Sequence, residues 1–155
     1  MGDATAYAAA IDPLSEVHGV PTIWVKCAMA TTFSAFEKMS VEEFDKISRT
    51  TYSGKVNGIR LALRHMVHGY IVHVGSGRSC RPVPFLSAYC GAKHAINGFV
   101  GAVCSEVLRA GRALHLSLVQ LPAKNTPQFD GARNRLEQKP QPAAPIFSRP
   151  TLPMP

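Results

Sequence analysis

The sequence predicts an α/β fold in which a parallel sheet is flanked by helices. Three observations support this prediction. Short segments rich in β-branched and aromatic residues occur at 21–28, 70–76 and 113–121. Long segments of helical character separate them, and the order of strand, helix and strand favours parallel pairing through right-handed crossovers. With 155 residues, 46% of them hydrophobic, the chain is long enough for one domain with a packed core.

The first predicted strand, PTIWVKCA from Pro21, is short and expected to be buried. A helical segment follows over residues 40–68. Ser40 is its expected N-cap, and Glu43 three residues later completes a capping box. Its predicted packing positions are Phe44, Ile47, Ile59, Leu61, Leu63 and Met66.

The longest predicted helix lies between the second and third strands, YIVHVGS and ALHLSLVQL. It covers about residues 87–110 and ends at Gly111, a residue type favoured after a helix C-terminus. Together these three segments predict a βαβ unit.

The C-terminal segment has a different composition from the rest of the chain. Residues 139–155, KPQPAAPIFSRPTLPMP, contain six prolines, which excludes a helix or a central strand. The predicted organisation is therefore a domain over residues 1–138 and an extended tail over 139–155.

Composition excludes several classes of protein. The chain has neither the roughly eighteen consecutive apolar residues of a membrane-spanning helix nor a signal-peptide pattern, so a cytoplasmic location without membrane association is expected. The formal charge is −4 over residues 1–48 and +11 over 49–155, but the bases are scattered without aromatic interleaving, so no nucleic-acid partner is expected. The cysteines and histidines lack metal-ligand spacing, so no metal site is expected and the cysteines are interpreted as small buried side chains.

Tyr89 and Lys93 lie on the predicted sheet-facing side of the long helix. Its apolar stripe is formed by Ile96, Val100, Val103 and Val107, and its far side carries His94, Ser105 and Arg109. Because a buried lysine without a partner is costly, this end of the helix is expected to line a cleft or meet an anion. A cation one helical turn from a phenol favours the phenolate, so Tyr89 is a candidate general acid or base with Lys93 lowering its pKa. The alternative is a core tyrosine beside a lysine whose ammonium reaches solvent.

Other polar residues are expected at the same edge of the sheet. Ser76 ends the second strand, and LPAKNTP follows the third. Open parallel sheets bind ligands at the carboxyl ends of their strands. Ser76, Tyr89 and Lys93 are therefore predicted to converge there.

In this combination the sequence resembles the short-chain dehydrogenase/reductase family over about residues 15–130. The resemblance is carried by VGS, SAYCGAKHAINGF, LPAKNT and, more weakly, IWVKCAMA. It implies a Rossmann-like fold and hydride transfer between NAD or NADP and a small carbonyl or alcohol substrate. It also implies pairing into homo-oligomers through the helices at 40–68 and 87–110.

The resemblance implies a role for each matching residue. Tyr89 matches the tyrosine that exchanges a proton with the substrate oxygen, and Ser76 matches the serine that hydrogen-bonds this oxygen. Lys93 matches the lysine that holds the nicotinamide ribose and lowers the tyrosine pKa. The segment from Pro122 to Thr126 matches the part that covers the nicotinamide.

The backbone around Ala28 matches the border of the adenosine site. Here the family's N-N-A-G is replaced by Lys26, Cys27, Ala28 and Met29. The family's helix asparagine is replaced by Thr51, a shorter side chain with one hydroxyl.

The glycine-rich turn that seats the cofactor pyrophosphate in the family has no counterpart in this sequence. Gly75-Ser76-Gly77 comes nearest, but Cys80 takes the place of the third glycine. The chain is therefore expected to begin after the family's first βα units, as a partial Rossmann-like sheet. Two functions remain open: an NAD(P)-dependent oxidoreductase, or a catalytically inactive remnant that binds a partner.

Overall fold

The computed structural model describes residues 2–123 and 126–142. The longer helices are α1 (Ala4–His18), α2 (Val41–Ser48), α3 (Gly54–His65) and α4 (Ser87–Arg109), with a short α5 (Gln128–Gly131). The strands are β1 (Ile23–Lys26), β2 (Thr32–Phe33), β3 (His68–Val74), β4 (Ala113–Val119) and β5 (Arg133–Asn134). A π-helical turn, Arg49–Ser53, joins α2 to α3, and 3-10 turns occur at Phe36–Lys38 and Gly77–Ser79.

The main sheet has the order β1-β3-β4, and both pairings are parallel. Lys26 is opposite His73, and His73 is opposite Leu118, so all three strands end at one edge. The chain passes from β3 through α4 to β4, as predicted for the βαβ unit. The predicted α/β fold with helices flanking a parallel sheet is confirmed.

The prediction of a buried first strand is wrong for its outward side. Ile23 and Val25 are 63% and 58% exposed, whereas Trp24 is half-buried and Lys26 is buried. The reason is that β1 pairs only with β3 in the described part of the chain, and one of its faces is uncovered. The strand therefore shows the alternation of a half-buried edge strand.

The core lies between the sheet and helices α3 and α4. Its buried members are Ile59, Ala62, Met66, Ile71, Ile96, Val100, Val103, Val107 and Leu114. The predicted stripe of α4 is thus buried, and its predicted far side is exposed. Ile47 and Leu61 are also buried as predicted, and Leu63 packs against the core. Phe44 does not: it is 40% exposed and its ring packs edge-on against Phe36.

The predicted helix over residues 40–68 is divided by the π-helical turn. Its start is as expected, because the Ser40 hydroxyl accepts from the Glu43 N–H and the Glu43 carboxylate accepts from the Ser40 N–H. Within the π turn the Thr51 hydroxyl donates to the Ala30 carbonyl (3.1 Å) and accepts from the Ala30 N–H (3.0 Å). This turn therefore fastens the helix to the loop that follows β1.

The predicted tail lies largely at 143–155, outside the described residues, and 139–142 form neither helix nor strand. The boundary after residue 138 stays a prediction. The interpretation of the cysteines as buried is wrong for Cys27 and Cys80, which are exposed, while Cys90 is buried. Over residues 2–123 and 126–142, none of the helices has the length and apolar character needed to span a membrane.

Candidate active site

Ser76, Tyr89 and Lys93 lie together at the carboxyl edge of the main sheet. Ser76 follows the end of β3, and the other two lie in the first two turns of α4. The Lys93 Nζ is 5.5 Å from the centre of the Tyr89 ring, and Lys93 is only 2% exposed. The Ser76 side chain lies close enough to the Tyr89 phenol to lower its pKa. The structure therefore brings the three residues together, and their catalytic roles stay predictions.

The loop before α4 aims the start of this helix back over the sheet. Phe85 has a φ of 65°, which is unusual for a residue with a bulky side chain. Its carbonyl accepts a hydrogen bond from the Ser34 N–H at 3.1 Å, so a contact from a distant loop holds it in this conformation. The reversal places Tyr89 above the end of β3.

Burial raises the pKa of the Tyr89 phenol above its ordinary value, while the Ser76 side chain and the charge of Arg78 act in the opposite direction. The net shift is upward, and the lowering of this pKa by Lys93 stays a prediction. The Lys93 ammonium donates to the Val74 carbonyl at 3.0 Å and lies over the ring, and burial lowers its own pKa. At neutral pH the phenol is protonated, as a proton donor requires.

A network of side-chain amides that the sequence analysis missed holds Ser76 in place. The Gln120 Oε1 accepts from the Ser76 N–H (2.7 Å) and from the Ser79 hydroxyl (2.8 Å). The Gln120 Nε2 donates to the Asn97 Oδ1 at 3.0 Å, and Asn97 in turn donates to the Ser79 carbonyl. The network connects the ends of β3 and β4 with α4. Gln120 directly after an apolar strand was its available signal.

Two further buried lysines lie at this edge and were also missed. The Lys55 Nζ donates to the Lys26 carbonyl (2.7 Å) and to the Val74 carbonyl (3.0 Å). The Lys26 Nζ donates to the Gly54 carbonyl (3.2 Å) and the Tyr7 hydroxyl (3.3 Å). Burial lowers the pKa of each ammonium to about 8. Inward-facing positions on β1 and α3 were the signal that sequence reasoning overlooked.

Three further residues were predicted to bind the cofactor, and they lie on other segments than Ser76, Tyr89 and Lys93. Ala28 is half-buried and lies in the loop after β1, beside Cys27. Pro122 is exposed and Thr126 is half-buried on the segment after β4, while 124 and 125 lie outside the described residues. The binding roles of Ala28, Pro122 and Thr126 stay predictions.

A cavity of about 470 Å³ lies between α2 and the small sheet formed by β2 and β5. Its lining includes Thr31, Glu43, Lys46, Ile47, Gln128 and Arg133. None of the three clustered residues lines it. Within the described part of the chain, no group of three histidine, cysteine or acidic side chains could hold a metal ion.

Comparison with known proteins places this geometry in a family. The model of the short chain dehydrogenase family matches residues 2–135. Among curated proteins, the probable oxidoreductase EphD of Mycobacterium tuberculosis is 34% identical over 118 residues, which is 74% of this chain and 20% of that protein. The uncharacterized oxidoreductase YohF of Escherichia coli is 31% identical over 113 residues, or 70% of this chain and 45% of that protein.

Solved structures show the same fold. A dehydrogenase/reductase from Sinorhizobium meliloti superposes with a TM-score of 0.75 at 26% identity, covering 82% of this chain and 50% of that one. A short chain dehydrogenase from Burkholderia cenocepacia, solved in complex with NADP, has a TM-score of 0.76 at 22% identity, covering 82% and 52%. The chain thus spans about half the length of these structures and less than half of the curated relatives.

Proposed function

Because the chain belongs to the short chain dehydrogenase family, we propose that it acts in hydride transfer between NAD or NADP and a small carbonyl or alcohol substrate. The observation that supports this most directly is the meeting of Ser76, Tyr89 and Lys93 at the carboxyl edge of the sheet. This edge is where open parallel sheets bind their ligands.

The nicotinamide end of such a cofactor fits the residues present. An ammonium has three donors, and in the described structure Lys93 uses one of them on the Val74 carbonyl. The other two remain for the hydroxyls of a ribose. We assign Lys93 and Tyr89 to the nicotinamide ribose, Pro122 and Thr126 to the cover of the ring, and Ala28 to the adenosine side. When bound, the nicotinamide supplies or takes up the hydride.

Ser76 and Tyr89 would then act on the substrate oxygen. The Ser76 hydroxyl orients this oxygen, and the protonated phenol of Tyr89 donates to it as negative charge develops during carbonyl reduction. Because the Tyr89 pKa is raised, the phenol is protonated at neutral pH, and reduction is the direction that this state serves. Alcohol oxidation requires the phenolate and therefore a higher pH.

Titration with NADH and NADPH, followed by nicotinamide fluorescence, tests the proposal. Saturable binding with a Kd below about 1 mM is expected, and Lys93→Met should weaken it. Tyr89→Phe should retain binding but reduce turnover of an aldehyde or ketone panel by about a hundredfold or more. His94→Ala, an exposed neighbour on α4, is the matched control and should leave both unchanged.

The opposing result is equally clear. Absence of binding by the folded chain at about 1 mM cofactor would favour the alternative, an inactive remnant that binds a partner.

Pairing through α2, α3 and α4, and a cytoplasmic location, stay predictions.

A further inference from the structure

A second pocket lies beside the catalytic cluster, between α1, the end of β1 and the start of α3. Its volume is about 30 Å³, above the 10–15 Å³ or so that one water needs. We call it the Lys26–Lys55 pocket. Its polar lining side chains are Tyr7, Lys26, Cys27, Thr50 and Lys55. None of the residues that line it is acidic.

The two ammonium groups of this pocket form no ion pair with a carboxylate in the described part of the chain. Lys26 and Lys55 are 4% and 2% exposed. Within residues 2–123 and 126–142, neither lysine takes part in an ion pair. Their hydrogen bonds go to carbonyl and hydroxyl oxygens, which carry only partial charge. A further cation, Lys93, shares the Val74 carbonyl with Lys55.

The pKa of His73 is also affected by the positive charge of this region. It is fully buried opposite Lys26 on β3, and neither ring nitrogen has a hydrogen-bond partner in the described structure. Burial, followed by the charges of Lys55 and Lys26, lowers its pKa to about 4. The imidazole is therefore neutral at pH 7, and the positive charges of the ammonium groups are among the causes.

Several side chains that line the pocket have donors left over. Each of the two ammonium groups has three N–H donors and uses two on the bonds described, so one remains on each. The Tyr7 oxygen accepts from Lys26, so its own proton remains to be donated. Thr50 adds a hydroxyl.

We propose that the Lys26–Lys55 pocket binds a phosphate group. Two cationic donors and two hydroxyls call for an anion that offers several acceptor oxygens, as a tetrahedral phosphate does. Two sources share this chemistry: free inorganic phosphate, and a phosphate of the dinucleotide. The second source rests on the proposed function, and Ala28 on the pocket wall is where that function expects the adenosine side.

Calorimetric titration with inorganic phosphate at pH 7 and constant ionic strength tests the site. Saturable binding with a Kd below about 10 mM is expected. Lys26→Met and Lys55→Met should each weaken it about tenfold, because each removes one charge-assisted hydrogen bond. Lys38→Met removes an exposed lysine elsewhere and should leave binding unchanged. Absence of saturable binding, or equal binding by all four proteins, overturns the proposal.

A second measurement on the unmodified chain avoids any dependence on folding of the variants. Cys27 lines the pocket and Cys80 does not, yet both are exposed. Phosphate should slow alkylation of Cys27 by iodoacetamide several-fold relative to Cys80 in the same molecule. An unchanged ratio at a phosphate concentration that saturates the calorimetric signal places that binding elsewhere and overturns the proposal.

Competition separates the two sources. If the pocket takes a dinucleotide phosphate, saturating NADH or NADPH displaces inorganic phosphate and Lys26→Met weakens dinucleotide binding. If it takes free phosphate, both bind together and Lys26→Met leaves dinucleotide binding intact. Phosphate binding without any dinucleotide binding would refute the proposed function and support the pocket.

Discussion

The side chain of Lys26 on β1 fills the space that a side chain at Gly58 on α3 would occupy. A β-carbon built on Gly58 would lie 1.1 Å from the Lys26 Nζ and 2.5 Å from its Cε. The lysine side chain thus reaches its buried site across Gly58, where no side chain obstructs it. Sequence position 58 and position 26 are therefore coupled through packing.

Gly58→Ala is expected to displace the Lys26 ammonium from the Gly54 carbonyl and the Tyr7 hydroxyl. Overpacking of this kind costs about 1–3 kcal/mol of unfolding free energy. Adding Lys26→Ala makes room, so the double variant should be more stable than the sum of the single effects predicts. Urea unfolding of the four proteins forms the cycle, and strict additivity would contradict the coupling.

Stability is expected to rise with pH between about 8 and 10.5 through Lys26 and Lys55. Burial lowers the pKa of each to about 8 in the folded chain, against 10.5 for an ordinary lysine. In this window the unfolded chain holds more protons than the folded chain, so deprotonation favours folding. Below it both states are protonated and the contribution is constant. The check is urea unfolding at pH 8 and pH 9.5, in which Lys55→Met should show a smaller rise than the wild type.

Gln120→Leu is expected to loosen Ser76. It removes the oxygen that accepts from the Ser76 N–H and the Ser79 hydroxyl, for a stability loss of about 1 kcal/mol. In the proposed function Ser76 orients the substrate oxygen, so kcat should fall about tenfold while cofactor affinity is kept. Ser117→Ala, an exposed change on β4, the strand that ends just before Gln120, is the control. A full kcat in a destabilised Gln120→Leu protein would show that the network is only structural.

Glu43→Gln is expected to expose the segment around β5 to proteolysis. The carboxylate pairs with Arg133 (2.8 Å) and Arg135 (2.9 Å), and the Ser40 N–H and both arginines lower its pKa. Without its charge, tryptic cleavage after these two arginines should accelerate several-fold. Glu37→Gln, an exposed carboxylate with no ion pair in the described structure, should cleave at the original rate.

Reductive activity is expected to be level from pH 6 to 9, because the Tyr89 phenol stays protonated over this range when its pKa is raised. Oxidation of an alcohol should rise throughout the same range as the phenolate fraction grows. Initial rates in both directions provide the measurement. An inflection near pH 7 would show instead that the cofactor, once bound, lowers the Tyr89 pKa.

The periodicity of hydrophobic residues was sufficient to predict the long helices and the longer strands. The spacing of Ile96, Val100 and Val107 predicted which side of α4 is buried, and with it the inward position of Tyr89 and Lys93. Long helices and the seven-residue strands β3 and β4 carry such a pattern in their own residues. The meeting of Ser76, Tyr89 and Lys93 followed because parallel strands end at one edge.

Features that depend on partners distant in sequence were missed. Thr32–Phe33 pairs with Arg133–Asn134, and two-residue strands have no periodicity to detect. Lys55 is buried because carbonyls of residues 26 and 74 accept its hydrogen bonds, and neither is local to α3. Phe44 was assigned to the core from hydrophobicity alone, although its helical turn faces solvent.

The π-helical turn at Arg49–Ser53 also determines which changes in length this chain tolerates. Each residue of a helix advances the following side chains by about 100° around its axis. Deleting a single residue from this turn would rotate all of α3 by that angle, carrying Lys55 away from the Val74 carbonyl and turning Gly58 away from Lys26. Insertions and deletions here are thus expected to be far more damaging than in the loop before α4, even though neither lies in a strand.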